Sequence, residues 1–579
     1  MATHAATDAA ALLDTIRSSV IGAGDLVDGP FGPRPVVYAD YTASGRSLSF
    51  LEDYLRNAVL PLYANTHTES SGTGRQTTRF REDARRIISS SVGASAEEHA
   101  VLFCGSGSTH AIHKMIAVLG LSIPSNLDDE FDLSAAIPAD RRPVVFIGPY
   151  EHHSNELPWR ESIADVVVIG EDSDGHVDLA QLEAALEAHA DRPLRIGSFS
   201  AASNVTGITT DTAAVSVLLH RHGALAFWDF AAAAPYVDID LGHPARGDDY
   251  FDAVFISPHK FIGGPGTPGV LVARRALFTN RVPAVPGGGT VAYVNADEHD
   301  YLPDIEHREE GGTPAIVESI RAGLVFQLKG AVGVDEIRRS EERFVRRAVE
   351  AWEAVPSIEI LGSHDAERLS IVSFVIGHRR AADTPNGVPW YLHHNFVVAL
   401  LDDLFGIQSR GGCSCAGPYG HRLLGIDLER SHEFEAEITQ GCEGIKPGWV
   451  RINFNYFIDD ATFEYLVAAV RFVAEHGAAF LPAYEFEPTS GLWRHRAGHA
   501  AVPMSLDDVD YSSGSMRYPD RRLRASAPPF AEILADAERH RLALVDAEAR
   551  PAVPVTSPAF ERLRWFPYPS DAPSAVAPS

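Results

Sequence analysis

Short apolar runs, separated by longer polar segments, constrain the fold of this chain more than any other feature of its sequence. The runs are residues 101–103, 144–147, 166–169, 225–228, 253–256 and 270–273. Each run is continuous rather than alternating, which is typical of strands buried on both faces. Most intervening segments are long enough for a crossover helix, which predicts a mostly parallel α/β sheet. Only a turn rich in Gly and Pro separates residue 256 from residue 270, so the last strand is expected to pair antiparallel and to make the sheet mixed.

The pattern changes after residues 311–314 and predicts a second, smaller α/β domain. A helical stretch covers 316–349, strand-like runs cover 369–375 and 449–454, and a helix covers 461–476. Beyond residue 482 the composition shifts to Pro, Ala and Arg, with one predicted helix at 530–544 and a disordered end at 571–579. The predicted segments are an N-terminal segment (1–30), a large domain (31–310), a small domain (311–480) and an extension (481–579).

Composition limits the classes of function. The chain has 579 residues, 45% of them hydrophobic, and a formal charge of −29. Such an acidic surface repels nucleic-acid backbones and anionic membranes, so neither is expected as a partner. No apolar run comes near the roughly 18 residues of a membrane span and no signal-peptide pattern is present, which predicts a cytoplasmic protein. Four cysteines are too few for a disulfide framework, and no metal site is expected.

The run 257–266 places one lysine, Lys260, directly after a predicted buried strand and before a glycine-rich turn. An ammonium group at the edge of a buried strand is poorly solvated, which makes the neutral amine available as a nucleophile. An aldehyde cofactor could be held by a lysine in such a setting. An isolated lysine at a strand end is more often a surface residue, so this interpretation depends on the residues around it.

Four other segments follow predicted strands. Residues 105–110, Gly-Ser-Gly-Ser-Thr-His, precede a predicted helix and form either a phosphate cradle or a simple helix cap. Asp229 either meets a pyridine nitrogen or caps its strand. His152 either stacks on a ring and moves protons or is a surface histidine. Asn204 either hydrogen-bonds a cofactor oxygen or is an ordinary loop residue.

In this order the segments resemble the class V aminotransferase superfamily of fold-type I pyridoxal-phosphate enzymes, and within it the branch of cysteine desulfurases and selenocysteine lyases. The resemblance spans roughly residues 30–480. It is carried by residues 38–43 (Tyr-Ala-Asp-Tyr-Thr-Ala), 107–109 (Gly-Ser-Thr), 151–153 (Glu-His-His), 203–207 (Ser-Asn-Val-Thr-Gly), Asp229 and 257–260 (Ser-Pro-His-Lys). It implies an α/β fold with a large cofactor-binding domain and a smaller C-terminal α/β domain.

The resemblance also implies a role for each matched residue. Lys260 is the covalent anchor of pyridoxal 5'-phosphate, Asp229 pairs with its ring nitrogen, His152 stacks on the ring, and Asn204 contacts the phenolic oxygen. The phosphate is expected to be held by Ser108, Thr109, Ser257 and His259. Desulfurases usually carry a glutamine three residues after the aspartate, whereas this chain has Ala232, which leaves one hydrogen bond to the cofactor in doubt.

A homodimer is implied by the same resemblance. The loop 287–290, Gly-Gly-Gly-Thr, resembles the family loop that reaches the phosphate bound by the neighbouring subunit. Thr290 is the expected contact, although the spacing also allows Tyr293 at that position. The other expected partners are an amino-acid substrate and a sulfur-acceptor protein.

The glycine-rich loop 409–418, Ser-Arg-Gly-Gly-Cys-Ser-Cys-Ala-Gly-Pro, decides the expected reaction. It resembles the desulfurase loop, in which the catalytic cysteine matches Cys415 and an active-site arginine matches Arg410. A cysteine beside a guanidinium in an exposed loop provides a useful fraction of thiolate. Arg451 matches the family arginine that clamps the substrate carboxylate. The implied reaction converts L-cysteine to L-alanine and leaves a persulfide on Cys415, with Lys260 moving the Cα proton.

Several alternatives stay open at the level of sequence. Cys413 is a bystander, a second sulfur acceptor or half of a metal clip, and Cys104 on its core strand is expected to be an inert thiol. The reaction is alternatively transamination, epimerisation or another C–S cleavage, with Cys415 serving only as loop structure. A non-catalytic scaffold is a further alternative. The extension 481–579 either wraps a dimer, covers the active site or recruits a sulfur acceptor.

Overall fold

The computed structural model describes residues 9–66, 70–498, 504–519, 523, 526–544 and 553–571. The described chain divides into two compact units. The first contains residues 9–21, 41–342 and 365–369, and the second contains the rest. The division between the two units thus falls after residue 342, rather than at 310 as the sequence suggested, and the extension belongs to the second unit.

The first unit is built on a mixed sheet of seven strands within the described residues. In chain order these strands are β1 (His99–Cys104), β2 (Val144–Ile147), β3 (Asp165–Val168), β4 (Arg195–Ser200), β5 (Leu225–Asp229), β6 (Ala253–Ile256) and β7 (Gly269–Arg274). Their order in the sheet is β1-β7-β6-β5-β4-β2-β3. Strands β2 to β6 pair in parallel, and β7 pairs antiparallel with β1 and β6. The predicted mixed, mostly parallel sheet is confirmed.

One predicted strand is less buried than its sequence indicated. The run 166–169 was expected to be covered on both faces, but β3 is half-buried and its last residue, Val168, is 43% exposed. The reason is its place at the edge of the sheet, where it has β2 as its neighbour on one side. Hydrophobic continuity alone does not distinguish an edge strand from a central one.

Helices cover the sheet of the first unit. They are Ala9–Ser19, Ser49–Tyr54 continued by a π-helical turn at Leu55–Val59, Gly72–Ser91, Gly107–Val118, Ser125–Phe131, His153–Arg160, Leu179–Ala188, Thr212–Arg221, Ile305–Glu309 and Ile316–Val332. The last of these packs closely on the helix Gly72–Ser91, because a Cβ added to Gly323 would lie 2.6 Å from Ala84 Cβ. This contact explains why residues 316–332 belong to the first unit rather than to the second.

The predicted helical stretch over 316–349 is interrupted in the structure. The structure has two helices, Ile316–Val332 and Val334–Glu353, separated by Gly333. Gly333 has φ +87° and ψ 134°, a backbone conformation that ends the first helix and that residues with a Cβ rarely adopt. The presence of Gly333 in the sequence did not predict this break, because the apolar periodicity continues on both sides of it.

The second unit contains a sheet whose described strands pair antiparallel. The strands are β8 (Ile358–Ile360), β9 (Ile371–Arg379), β10 (Trp390–Tyr391), β11 (Arg410–Gly412) and β12 (Trp449–Asn453). The order is β8-β9-β12-β11, with β10 paired to β9. The helices of this unit include the C-terminal part of Val334–Glu353, His394–Phe405, Gly417–Leu423, Leu428–Thr439, Asp460–His476, Phe530–Leu544 and Pro558–Leu563.

The extension is part of the core of the second unit. The helix Phe530–Leu544 matches the predicted 530–544, and a hairpin joins Tyr484–Glu487 to Leu492–His495. Phe560, Phe566 and Tyr568 are fully buried in the same hydrophobic cluster as β9 and β12. Apart from residue 571, the end predicted to be disordered lies outside the described residues.

One helical stretch, Asp460–Ala483, is long and apolar enough to cross a membrane by length and composition. The sequence pattern predicts no stretch of this kind. In the structure 44% of its most apolar window is buried inside the protein, and Phe463, Leu466 and Val470 lie in the core of the second unit. Packing inside the protein therefore accounts for its apolar composition.

Candidate active site

Two loops that follow strands of the first unit meet at the start of the helix Gly107–Val118. The backbone N–H of Ser108 donates a hydrogen bond of 2.8 Å to Ser257 Oγ. Gly107 has φ +56°, and a Cβ there would lie 2.9 Å from Ser257 Oγ and 3.0 Å from the His259 ring. A glycine is thus required where the loop after β1 approaches the loop after β6.

The start of this helix differs from a simple cap. The side chain of the N-cap residue, Ser106, makes no cap hydrogen bond. The hydroxyl of Thr109 lies 2.7 Å from Ser154 Oγ, which ties this helix to the helix His153–Arg160 that follows β2. Ser108, Thr109, Ser257 and His259 therefore surround the positive end of a helix, an arrangement suited to a phosphate group.

Lys260 ends a short 3-10 turn, Pro258–Lys260, that is held by close backbone contacts. Its own N–H donates to Ser257 O at 3.1 Å, and Gly45 N donates to His259 O at 2.8 Å. A Cβ on Gly45 would lie only 1.9 Å from Phe261 O. The backbone around the lysine is therefore fixed from both sides of its loop. Burial, and then the charge of Lys260, lowers the pKa of His259 to about 4, so this imidazole is neutral near pH 7.

Asp229 is the last residue of β5 and is 4% exposed. Burial raises the pKa of its carboxyl group above the usual value, while a hydrogen bond from Ala231 N, the charge of Lys260 and the hydroxyl of Ser108 act in the opposite direction. The predicted cofactor residues Asp229, Lys260 and Ser108 are thus brought together. A cationic group beside Asp229 would offset the cost of burying its charge.

His152 and Asn204 occupy the loops after β2 and β4. The Nδ1 atom of His152 accepts a hydrogen bond of 3.0 Å from Ser154 N, so the neutral ring carries its proton on Nε2. Asn204 is buried in a turn that Ser203 organises, because Ser203 Oγ accepts hydrogen bonds from Val205 N and Thr206 N at 3.1 Å each. Both predicted residues therefore sit on rigid loops.

Glu151 belongs to the motif 151–153, but the sequence assigns it no role in this site. Its Oε1 accepts hydrogen bonds from Ser200 N at 2.8 Å and Gly148 N at 3.2 Å, and its Oε2 from Ser200 Oγ at 2.6 Å and Asn155 Nδ2 at 2.7 Å. Burial raises the pKa of Glu151 to about 7, with the hydrogen bonds opposing it and the charge of Asp229 adding to it. The sequence feature that could have indicated this role is the position of Glu151, a carboxylate between the strand β2 and His152.

Thr290 lies in the first unit with its hydroxyl engaged in its own loop. Thr290 Oγ1 donates to Gly287 O at 2.7 Å and accepts from Gly287 N at 3.2 Å. Tyr293, the other residue at this loop, is 56% exposed on the hairpin Val291–Val294 with His299–Tyr301. A contact from either residue to a neighbouring subunit stays a prediction.

In the second unit, Arg410 and Arg451 lie opposite each other on β11 and β12. Two like charges at a cross-strand position repel each other unless a counter-charge is present. Asp40 supplies it, because its Oδ1 accepts from Arg451 Nη2 at 2.9 Å and its Oδ2 lies 3.6 Å from Arg410 Nη1. Arg451 is buried, which lowers its pKa, whereas Arg410 is half exposed. Asp40 lies in the motif 38–43, but the residues of that motif do not predict this role for it.

The loop that carries Cys415 makes an unusual turn. Ala416 N donates to Cys413 O at 3.1 Å, which closes a four-residue turn with Ser414 (φ 51°) and Cys415 (φ 55°) at its centre. Among the described residues these two and Asp132 are the only non-glycine residues with positive φ. Each such residue costs about 1–2 kcal/mol. The turn is held by β11 before it and the helix Gly417–Leu423 after it, and it leaves Cys415 exposed.

The other cysteines differ from Cys415. Cys104 is buried on β1, and burial raises its pKa to about 12, as expected of an inert core thiol. Cys413 and Cys442 are half-buried. In the part of the chain that the structure describes, no group of three or more His, Cys, Asp or Glu residues is arranged to hold a metal ion, so the metal-clip interpretation of Cys413 has no further ligand to support it.

Comparison with known families shows the family to which this chain belongs. The family model described as aminotransferase class-V matches residues 37–427. This chain belongs to the class-V aminotransferase family. The resemblance drawn from the sequence motifs is thereby confirmed, while Arg451 and the extension lie beyond the matched residues.

Curated members of the class-V family are similar to this chain over most of their own length. A probable cysteine desulfurase from Halalkalibacterium halodurans is 26% identical over 392 residues, covering 66% of this chain and 85% of the relative. A cysteine desulfurase from Klebsiella pneumoniae is 27% identical over 393 residues, again covering 66% and 85%. A solved apo structure of a cysteine desulfurase from Thermococcus onnurineus NA1 matches with a TM-score of 0.59 at 22% identity, covering 76% of this chain and 95% of its own. The predicted fold-type I architecture is confirmed.

Proposed function

We propose that this class-V chain is a pyridoxal-phosphate-dependent cysteine desulfurase. It takes the sulfur of L-cysteine, releases L-alanine and holds the sulfur as a persulfide on Cys415. The observation that carries the proposal is the exposed Cys415 thiol in a strained turn that directly follows β11, the strand of Arg410. The curated relatives that bear this name support the same conclusion.

The residues of the first unit fit pyridoxal 5'-phosphate. Ser108, Thr109, Ser257 and His259 would hold its phosphate at the helix start, and Lys260 would be its covalent anchor. The buried Asp229 carboxylate would pair with a protonated ring nitrogen, which offsets the burial that raises its pKa. His152 would cover one face of the ring and Asn204 would hydrogen-bond its phenolic oxygen. When bound, this cofactor withdraws electrons from the Cα of an attached amino acid.

Residues of the chain itself move the proton, bind the substrate carboxylate and attack the substrate sulfur. Lys260 takes the proton from the substrate Cα, and its fixed backbone limits where its amine can reach. Arg451 and Arg410 bind the substrate carboxylate, which competes with Asp40 for the same guanidinium groups. The Cys415 thiolate attacks the substrate sulfur, so that an S–S bond forms as the Cβ–S bond breaks and the electron pair of that bond leaves with Cβ.

The proposal also includes the oligomeric state, the location and the protein partner of the enzyme. Dimerisation is supported by the family and by the exposed Tyr293 and Val294 on the hairpin of the first unit. A cytoplasmic location is part of the same proposal. A sulfur-acceptor protein is part of the proposal, because the persulfide on Cys415 must pass on its sulfur before that thiol can act again.

The decisive experiment replaces Cys415 by alanine. The Cys415→Ala protein, loaded with pyridoxal phosphate, is expected to lose alanine formation from L-cysteine by at least about 100-fold and to carry no persulfide on peptide mass spectra. Cys442→Ala, at a half-buried cysteine outside the turn, is the matched control and should retain both signals. Retained alanine formation in Cys415→Ala would instead support another class-V reaction in which this residue is only loop structure.

A further inference from the structure

The turn that presents Cys415 contains a second thiol. Residues 413–416 alternate in burial: Cys413 is half-buried, Ser414 is 8% exposed, Cys415 is exposed and Ala416 is 0% exposed. The two small residues are therefore covered by the protein, whereas Cys415 is accessible and Cys413 is partly accessible.

The turn also keeps the two thiols close. Two peptide units separate Cα atoms by at most about 7 Å even when extended. Here the chain is bent, because the hydrogen bond from Ala416 N to Cys413 O closes the turn and both central residues have positive φ. The two Cβ–Sγ arms thus start from Cα atoms that are at most about 7 Å apart in the same turn.

The surrounding structure fixes this arrangement. Gly411 and Gly448 have no room for a side chain, since an added Cβ would lie 2.8 Å from Asn395 Oδ1 at the first and 2.7 Å from His394 Cδ2 at the second. The strand β11 is therefore clamped against the helix His394–Phe405 and the segment before β12. A strained turn held on both sides presents its thiols in one orientation instead of sampling many.

We propose that Cys413 is a second sulfur-carrying residue, which takes the sulfur from the Cys415 persulfide. This inference rests on the proposed function of Cys415. The Cys413 thiolate attacks the outer sulfur of the persulfide, so that a bond from Cys413 Sγ to that sulfur forms and the bond from Cys415 Sγ breaks. Cys415 leaves as a thiolate and takes up the proton that Cys413 released to solvent, so no electron donor or acceptor is needed.

The consequence is a doubled sulfur capacity. Once its sulfur has moved to Cys413, Cys415 is a free thiol again and can accept sulfur from a second L-cysteine molecule. The chain then holds two sulfur atoms before any acceptor is present. An external acceptor would then take its sulfur from the persulfide on Cys413. Cys415, the thiol that attacks the substrate, would stay free during that transfer.

The test is the burst of alanine formed from L-cysteine by the pyridoxal-phosphate-loaded protein without reductant or acceptor. The wild-type chain is expected to release about two alanines per chain, and Cys413→Ser about one. Peptide mass spectra should show sulfur on both residues in the wild type. Cys442→Ser is the control and should keep the burst of the wild type.

Two results would overturn the inference and leave the proposed function intact. The first is an equal burst of about one alanine in the wild type and in Cys413→Ser. The second is a disulfide between Cys413 and Cys415 with release of free sulfide, because that product requires attack on the inner sulfur. By contrast, a Cys415→Ser chain that still forms alanine and carries sulfur on Cys413 would overturn both proposals, since no relay through Cys415 could then exist.

Discussion

At the scale of single residues, Glu151 links the site of the first unit to pH. Burial raises the pKa of its carboxyl group from 4.5 to about 7. Between these two values the folded chain keeps a proton that the unfolded chain has released. Stability from this residue is therefore fully present below the unfolded pKa and is lost as pH rises through the folded one. A shift of this size corresponds to on the order of 3 kcal/mol.

We expect Glu151→Gln to remove this dependence. The free energy of unfolding of the variant, relative to the wild type, should rise by up to about 3 kcal/mol as pH increases from about 5 to about 8. Urea unfolding at several pH values measures it. At each pH the free energy of unfolding of the variant is compared with that of the wild type. This comparison is needed because His259, with a pKa lowered to about 4, changes stability with pH in the opposite direction to Glu151 and does so in both proteins. The exposed Glu161→Gln is the matched control, and a constant offset in Glu151→Gln across this range would contradict the assignment.

Sequence reasoning located some residues of the site and missed others for a physical reason. Asp229 ends the buried strand β5 and Lys260 lies in the short turn after the buried strand β6, so local pattern and family motif place them. Glu151 depends on Ser200, which lies 49 positions away, and Asp40 depends on Arg451, which lies 411 positions away. Such pairs exist only after the sheets have formed. Their partners therefore could not be read from the motif in which each residue stands.

At the scale of elements, the junction between the helices Ile316–Val332 and Val334–Glu353 is set by one glycine. A Cβ on Gly333 would meet no atom within 4 Å, so its φ of +87° is the reason that glycine is needed there. We expect Gly333→Ala to destabilise the protein by about 1–3 kcal/mol through backbone strain alone. The shift in the thermal unfolding midpoint measures this effect.

The same helix supplies the control for that substitution. Gly330 is exposed, has equally open space around its Cα and lies inside the regular helix. Gly330→Ala should therefore stabilise the protein by about 0.5–1 kcal/mol. Equal effects of the two variants would show that the conformation of Gly333 carries no cost. Periodicity predicted both helices but not their break, because the apolar positions continue through the glycine.

At the scale of the whole molecule, the extension is a structural part of the second unit. The sequence left its role open, because outside the predicted helix 530–544 its Pro, Ala and Arg composition gives no periodic signal. In the structure Arg564 is buried against Trp390 and Tyr568, with 4.2 Å from its guanidinium carbon to each ring centre, and it pairs with Asp571. Phe566 is 0% exposed in the same cluster. The role of the extension could be found only once its few aromatic residues had been placed in a core that other segments provide.

This placement predicts that Phe566→Ala weakens the second unit. Removing a fully buried phenylalanine typically costs about 3–5 kcal/mol, since the cavity left behind adds to the lost burial. Tryptophan fluorescence reports the change, because five of the seven tryptophans, Trp352, Trp390, Trp449, Trp493 and Trp565, belong to this unit. Val555→Ala is the control in the same extension, as Val555 is 98% exposed and should leave the transition unchanged. If Phe566→Ala unfolds at the same urea concentration as Val555→Ala, the extension does not contribute to the core of this unit and instead only lies on its surface.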